Sequence, residues 1–237
     1  LLASTFDRTL AANATLIVNT AGPQIPPVLT GSAQLAATGA IDGFAIFSIL
    51  STKQEAVVPL ETRNASSYLL AFDNTNSVVL GVALQNISQQ AANVQVVIRD
   101  DTGVQTEAGS IALQGSGHSS FVLSDQFPST KNKRGTIQFV TPSGGQISAL
   151  GVRFTPPGTL TTIPVLASGS AAGGSIAHLA VANGWKTTFV LVNAGTNSAQ
   201  AHLKFFADNG SPLSLPLNFP QNGNSTKGST LDRTLPP

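Results

Sequence analysis

The residue types of a hydrolase triad occur together in one short stretch of this sequence. His118, Ser119 and Ser120 are followed by Ser124 and Asp125. In a working triad a serine attacks, a histidine takes its proton and a carboxylate orients the histidine, with the three converging from separate elements beside an oxyanion hole. Neighbours along one strand point to alternate faces instead. The sequence therefore predicts no catalytic residue here and, more broadly, a protein that is not an enzyme.

Metal-binding chemistry is predicted to be absent as well. There is no cysteine, and the three histidines are scattered without a second ligand type at zinc spacing, at His118, His178 and His202. Asp100 and Asp101, and the segment 73–76, carry oxygen atoms that calcium could use. Neither has the alternating acidic pattern of a calcium loop, and both fall at predicted turns. Turn chemistry is the favoured interpretation and a cation the alternative, so we predict no metal and no cofactor.

Charge and glycosylation signals give few clues to a partner. The basic cluster at residues 131–134 lacks interleaved aromatic residues for base stacking, which indicates a solvated loop. With a net charge of +1, neither nucleic acid nor an anionic membrane is an obvious electrostatic partner. Asn-x-Ser/Thr triplets begin at Asn13, Asn64, Asn86 and Asn224. Composition explains most of them, while a surface glycan stays open as a partner.

The composition is typical of an exported all-β protein. Of the 237 residues, 41% are apolar but only 10% are charged, so solubility must come from Ser, Thr, Asn and Gln. Methionine is absent even at position 1, which we interpret as a processed form or a fragment. No run of 18 apolar residues is present. We expect an extracellular or cell-surface location without membrane insertion.

The two ends of the chain repeat each other. Residues 4–10, STFDRTL, return as residues 229–235, STLDRTL, at a spacing of 225 (229 minus 4). Across residues 1–12 and 226–237, six of the twelve positions are identical. Internal repeats of this kind determine the architecture of a chain.

A second repeat lies inside the 225-residue unit. Residues 86–103 align without a gap with residues 193–210, an offset of 107 (193 minus 86). In the remaining part, residues 31–35 parallel 135–139, residues 41–46 parallel 147–152, and residues 57–60 parallel 162–166 give or take a residue. The unit thus reads as two related domains of roughly 110 residues each.

These domains occur in an unusual order. Residues 68–166 form a complete domain, which we call sandwich B. The other, sandwich A, is split, because residues 1–60 hold its C-terminal part and residues 175–237 hold the N-terminal part of the next copy. The sequence predicts that each half needs a partner half.

The apolar pattern predicts strands. Val94, Val96 and Ile98 alternate with polar or outward positions, the period of two that marks a half-buried strand. Turns are predicted at residues 101–103 and 208–210, and a single helical turn at residues 124–127 ended by a proline. Six to eight short strands per domain indicate an all-β fold of two antiparallel, Ig-like β-sandwiches per repeat. Tyr68 and Trp185 are both predicted core anchors.

Several segments together resemble a repeat found in large secreted proteins of acidobacteria. They are GFAIF (43–47), QEAVVPLETR (54–63), YLLAFDNTNSVVLGVALQN (68–86), VVIRDDTG (96–103), GHSSFVLSDQFP (117–128), RGTIQFVTPSGGQISALGVRFTP (134–156), TTIPVL (161–166), GWKTTFVLVN (184–193) and KFFADNGSPL (204–213). The resemblance implies export and tandem β-sandwich modules, frequently at the C-terminal ends of long ectodomains. It supplies no site residue. The family unit runs A then B, whereas here B is followed by the start of another A.

The split domain leads to a functional hypothesis. Half a sandwich exposes a sheet edge and one face of its core. Residues 1–60 of one copy are therefore expected to join residues 175–237 of a neighbour, in a covalent tandem array or a non-covalent filament, unless the chain closes on itself. We expect a structural subunit or segment of an extracellular filament or stalk. The alternative is an adhesin or glycan-binding ectodomain in which the sandwiches are spacers.

Overall fold

The computed structural model describes residues 5–20, 28–141, 146–156, 158–167 and 173–237. It divides into two units, Leu1–Gly31 and Ser32–Pro237. In the first unit, the described residues form neither helix nor strand, and Asn13 takes a positive φ of 61° in a turn closed by the Ala14 N–H on the Ala11 carbonyl. None of the helices in the described residues is long and apolar enough to cross a bilayer.

The second unit is built from antiparallel strands, which confirms the all-β prediction. One short helix, α1 (Leu123–Gln126), and a 3₁₀ turn (Pro128–Thr130) interrupt them. The strands in chain order are β1 (Phe44–Ile49), β2 (Gln54–Pro59), β3 (Ser67–Asp73), β4 (Val79–Asn86), β5 (Ala92–Asp100), β6 (Gln105–Leu113), β7 (His118–Val122), β8 (Arg134–Val140), β9 (Ile147–Thr155), β10 (Thr159–Ile163), β11 (Leu166–Ala167), β12 (Ala199–Lys204), β13 (Leu215–Phe219), β14 (Asn224–Gly228) and β15 (Thr230–Leu235).

Strands β3 to β11 form a β-sandwich of two antiparallel sheets. One sheet has the order β10-β9-β4-β7, and the other has the order β11-β3-β8-β5-β6. The described part of the sandwich therefore holds nine strands, more than the six to eight predicted, because the two-residue β11 adds a short edge strand beside β3. Strand β8 lies in the middle of the five-stranded sheet and pairs with β3 on one edge and with β5 on the other.

The core of this sandwich follows from the period of two. Along β5 the side chains of Val94, Val96 and Ile98 are at most 1% exposed, while the residues between them face outward. Tyr68 is fully buried among them and its hydroxyl accepts a hydrogen bond from the Ala65 N–H at 3.1 Å, so the prediction of a core anchor is confirmed. The other fully buried large side chains are Leu70, Leu80, Val82, Leu84, Leu123, Ile137, Phe139 and Ile147.

The predicted turns are confirmed where the backbone needs an unusual conformation. Gly103 and Gly210 adopt positive φ values of 87° and 80°, which favour glycine because no Cβ is present. The predicted helical turn is α1, and Pro128 follows it within two residues. Each of these local structures is encoded by the residues that form it.

Outside the sandwich, the strands of the described residues form three two-stranded sheets. The sheets are β1-β2, β12-β15 and β13-β14. The hairpin β1-β2 lies beside β10, where the Thr162 hydroxyl donates to the Val57 carbonyl at 2.6 Å. Residues 173–198 form no strand, only an isolated bridge between Ala182 and Trp185.

The prediction for Trp185 is wrong. Its side chain is 70% exposed, because the described residues around it do not form a second sheet that would cover it. Tyr68, by contrast, lies on β3, between a paired sheet and its opposite layer. A large aromatic residue becomes a core anchor only where both layers are present.

The repeat supplies a matched pair of leucines to test the core. Leu84 on β4 is 1% exposed, and Leu191, its counterpart at the offset of 107, is 38% exposed. We expect Leu84→Ala to lower the free energy of unfolding by about 2–5 kcal/mol, since it leaves a cavity. Leu191→Ala should cost below about 1 kcal/mol in the dilute, unassembled chain. Urea unfolding followed by the near-UV signal of Tyr68, the only tyrosine, measures both; equal losses would contradict the described burial.

Candidate functional site

The triad residue types are distributed over two elements and two faces. On β7, His118 lies opposite Gln85 and Ser120 opposite Ala83, whereas Ser119 lies opposite the buried Leu84. His118 and Ser120 therefore share the face that points away from the core, and Ser119 is on the other. Ser124 and Asp125 follow in α1, where Asp125 is exposed. The strand and the helix thus do not gather the three residue types around one point.

The Asp73 carboxylate serves a turn. Its Oδ1 accepts hydrogen bonds from the Thr75 N–H at 3.0 Å and the Thr75 hydroxyl at 2.6 Å, and its Oδ2 accepts from the Arg134 Nε at 3.0 Å. Burial by itself would raise the pKa of Asp73, but these donors and the guanidinium charge together lower it below its ordinary value. The protein itself therefore supplies the donors for this carboxylate.

Asp100 has the same role at the next turn. Its Oδ1 accepts from the Thr102 hydroxyl at 2.6 Å and from the N–H groups of Thr102 and Val104 at 2.9 and 3.1 Å. The Thr102 hydroxyl is the main cause that lowers the pKa of Asp100. Across the described residues, no group of three His, Cys, Asp or Glu side chains is arranged to hold a metal ion. The arrangement around both acids is that of Asx turns.

The basic cluster at residues 131–134 and the third histidine each have an acidic neighbour. Arg134 begins β8 and forms an ion pair with Asp73 on β3, so one positive charge of the basic cluster is paired. His202 on β12 lies opposite Asp232 on β15, with Nδ1 2.5 Å from Oδ1. His178 lies in residues 173–198, outside any strand. The three histidines are therefore found in three separate surroundings.

Among the four Asn-x-Ser/Thr triplets, Asn86 has a structural role. It is fully buried, and its Nδ2 donates to the carbonyls of Gln90 and Gln114 at 2.7 and 3.0 Å. Its Oδ1 accepts from the Ser88 N–H at 3.0 Å. A side chain in this position is inaccessible to a glycan in the folded state. Asn13, Asn64 and Asn224 are exposed.

Two of the three side-chain hydrogen bonds of Asn86 recur at the offset of 107. Asn193, the counterpart of Asn86, accepts from the Gly195 N–H at 3.0 Å and donates to the Asn197 carbonyl at 2.7 Å. The turn after β5, in which the Asp100 N–H donates to the Val104 carbonyl, also returns as the Ala207 N–H donating to the Ser211 carbonyl. The two positions thus share local hydrogen-bonded turns, as the predicted offset of 107 requires.

Exposed apolar side chains are concentrated outside the sandwich. Among the described residues, Val104 and Phe154 are the large apolar side chains of β3 to β11 and their connections that are strongly exposed. The others belong to the predicted halves of sandwich A. They are Phe6, Leu16, Ile17, Val18, Val28, Leu29, Leu35, Ile41, Phe44, Ile46, Phe47, Ile49, Leu50, Val57, Ile176, Val181, Trp185, Val190, Leu191 and Phe206. These side chains are available for burial against a further layer.

Strand β12 combines this apolar character with an open edge. It pairs with β15 on one side, and no strand pairs with its other side in the described residues. Leu203, which occupies the position of the buried Val96, is only half-buried. We call this side of residues 199–206 the β12 edge; it is the candidate functional site.

The chain matches no known protein family, no curated protein and no solved structure. The resemblance to the acidobacterial repeat therefore stays a prediction. The candidate site rests on the geometry described above.

Replacing Asn86 tests its structural role. Asn86→Ala removes three hydrogen bonds and leaves buried backbone groups unpaired, so we expect a loss of about 2–4 kcal/mol in the free energy of unfolding. Asn193→Ala is the matched control, expected to cost below about 1 kcal/mol in the dilute, unassembled chain, because the side-chain hydrogen bonds of Asn193 to Gly195, Asn197 and Pro236 are exposed to water and its bond to the Leu235 carbonyl is long, at 3.4 Å. Tyr68 near-UV dichroism in urea reports both, and a neutral Asn86→Ala would contradict the role.

The ion pair of Asp73 predicts a pH dependence. Because the folded pKa lies below the unfolded value of about 3.9, its contribution is complete above that value and is lost as pH falls through the folded pKa. Asp73→Asn should thus destabilise at pH 7 by less than about 1 kcal/mol, since water screens this partly exposed pair. The difference from the parent should shrink below pH 4. Asp125→Asn controls for loss of one charge, and an equal effect in both variants would refute the prediction.

Proposed function

We propose that the chain is a structural subunit or segment of an extracellular filament or stalk. In this arrangement, residues 1–60 of one unit and residues 175–237 of a neighbour complete a β-sandwich between them. The partner is therefore another copy of the same sequence. The proposal applies equally to copies joined by peptide bonds and to copies that associate non-covalently.

The observation that carries the proposal is the contrast between counterpart residues. Phe139 in the sandwich is fully buried, and its counterpart Leu35 is 53% exposed. Ile147 is 1% exposed, and its counterpart Ile41 is 41% exposed. The sequence keeps apolar residues at these positions although the described structure leaves them uncovered. A second layer supplied by a neighbour would bury them.

The magnitude of the burial favours association. Burying one large aliphatic or aromatic side chain contributes about 1.5–3 kcal/mol. Burial of most of the exposed side chains of the two halves would exceed an association cost of about 4–15 kcal/mol. These magnitudes support association between copies.

Symmetry makes the product a chain of units. The two contacting surfaces differ, since one is built from residues 1–60 and the other from residues 175–237. A contact between unlike surfaces that does not close into a ring propagates as a fibre. The low charge content of 10% supports an extracellular polymer whose surface is polar and uncharged.

The competing function, an adhesin or glycan-binding ectodomain, requires a cluster of exposed aromatic residues on one sheet face. Phe154 is the strongly exposed aromatic residue of the described sandwich. Phe44 and Phe47 on β1 are also exposed, but three residues apart in a strand they point to opposite faces. Trp185 is 70% exposed but lies outside any strand, so it is not part of a sheet face. The apolar surface therefore favours assembly over sugar stacking.

Assembly of the full chain tests the proposal. We expect light scattering after size exclusion to show concentration-dependent oligomers, and electron microscopy to show fibres with one regular repeat. Leu191→Asp should abolish assembly, because its counterpart Leu84 is a core residue. The matched control Val190→Asp, one position along, should still assemble, since its counterpart Ala83 faces outward.

The outcomes separate the two functions. A monodisperse monomer at high concentration, with native Tyr68 dichroism, would overturn the filament proposal. Immunogold labelling of the native material, with antibody against the chain, should place the fibres at the cell surface or in the medium; labelling confined to the cytoplasm would refute the extracellular assignment.

A further inference from the structure

We infer that residues 32–36 of a second copy insert as the central strand of the split sandwich, antiparallel along the β12 edge, with Leu35 opposite Leu203 and Ala33 opposite Phe205. The inference rests on the proposed function and specifies which segment enters, at which edge and in which register.

The backbone groups of β12 face two different edges. The Phe205 N–H donates to the Ser229 carbonyl, and its carbonyl accepts from the Leu213 N–H, both at 2.9 Å. In an extended strand, alternate residues direct their backbone groups to opposite edges. Residues 199, 201, 203 and 205 therefore face β15 and its neighbours. The backbone groups of residues 200, 202, 204 and 206 face the other edge, which no strand of the described residues pairs with.

In the complete sandwich, β5 is the strand that corresponds to β12. There the Asp100 N–H donates to Val104, so the even-numbered residues of β5 face β6, and the odd-numbered ones face β8. The offset of 107 converts Asp100 to Ala207 and Val97 to Lys204. The open β12 edge is thus the counterpart of the β5 edge that β8 occupies.

The segment that corresponds to β8 lies at residues 31–35, and the pairing of β8 with β5 gives its register. Residues 31–35 parallel residues 135–139 of β8, an offset of 104 (135 minus 31). In the sandwich, Val96 pairs with Phe139 and Ile98 with Ile137. Applying the two offsets converts these pairs to Leu203 with Leu35 and to Phe205 with Ala33. Between them, Val97 with Gln138 becomes Lys204 with Gln34.

The chemistry of the converted pairs fits a sheet with one buried face. Leu35 and Ala33 would join Leu203 and Phe205 on the inner side, while Gln34 and Lys204 would face water. The larger Phe205 replaces Ile98 where the smaller Ala33 replaces Ile137, so volume is exchanged across the pair. A shift by one residue would put Gln34 into the core, which sets the register strongly.

A glycine gives independent support. A Cβ at Gly135 would lie 2.0 Å from the Arg99 carbonyl oxygen, so the approach of β8 to β5 requires glycine there. Gly31 holds the counterpart position, and a Cβ added to it meets no atom within 4 Å. Gly31 does not take a positive φ either, so its own backbone conformation does not require glycine. Insertion against the Phe206 carbonyl of a neighbour accounts for glycine at this position.

Disulfide trapping tests the register. The sequence contains no native cysteine, so only the introduced cysteines can form a disulfide. Gln34→Cys and Lys204→Cys are made in separate chains, mixed and oxidised with copper–phenanthroline. We expect at least a tenfold higher yield of crosslinked dimer than for Gln34→Cys mixed with Gln200→Cys. Gln200 has the same outward face, but lies about 13 Å further along the strand. All three positions are exposed, so folding should be unaffected.

The results separate this inference from the proposed function. Fibres that form without preference for the Lys204 pair would overturn the register while leaving the filament intact. Absence of any assembly would overturn both. A double variant, Gln34→Cys with Lys204→Cys in one chain, should give a ladder of multimers; conversion to internally crosslinked monomer would show that the segment closes on its own chain and would overturn insertion between copies.

Discussion

Strand β8 hydrogen-bonds to β3 on one edge and to β5 on the other, and the five-stranded sheet depends on this double pairing. Without β8, the sheet would separate into the pairs β11-β3 and β5-β6. Two strands are too few to bury an apolar face. The predicted halves of sandwich A have this form. Residues 173–198, which correspond to β3 and β4, make no strand, and β12, which corresponds to β5, has an open edge. The segment that corresponds to β8 lies before the sandwich in the chain.

Burial follows from the same constraint. Leu84 and Leu191 occupy counterpart positions in one alternating pattern, and their exposures are 1% and 38%. The pattern prepares a face for burial, but a face is buried only when an opposite sheet covers it. In the proposed assembly, half a sandwich would leave its apolar face uncovered, and a copy of the same sequence would supply the complementary half. Such an assembly would need no dedicated binding motif.

The polar residues support this architecture. Asp73 and Asp100 close turns, Arg134 joins β8 to β3, and the fully buried Asn86 joins the connection between β4 and β5 to the connection between β6 and β7. The few charged groups of the sandwich thus hold the ends of strands in place. The hydrogen-bond partners of Asp73 and Asp100 lie within the chain, which is why these acids, which suggested cation binding in the sequence, close turns in the structure.

The sequence by itself determined the features that depend on neighbouring residues. Period-two alternation predicts β5 and β8, the glycines at 103 and 210 predict their turns, and the repeats predict counterpart positions. The burial of Asn86, the exposure of Trp185, the Asp73–Arg134 pair and the place of β15 beside β12 emerged only from the tertiary structure. Local periodicity defines which face of a strand is apolar. Which strand lies at each edge, and whether a second sheet covers that face, depends on residues far apart in the chain.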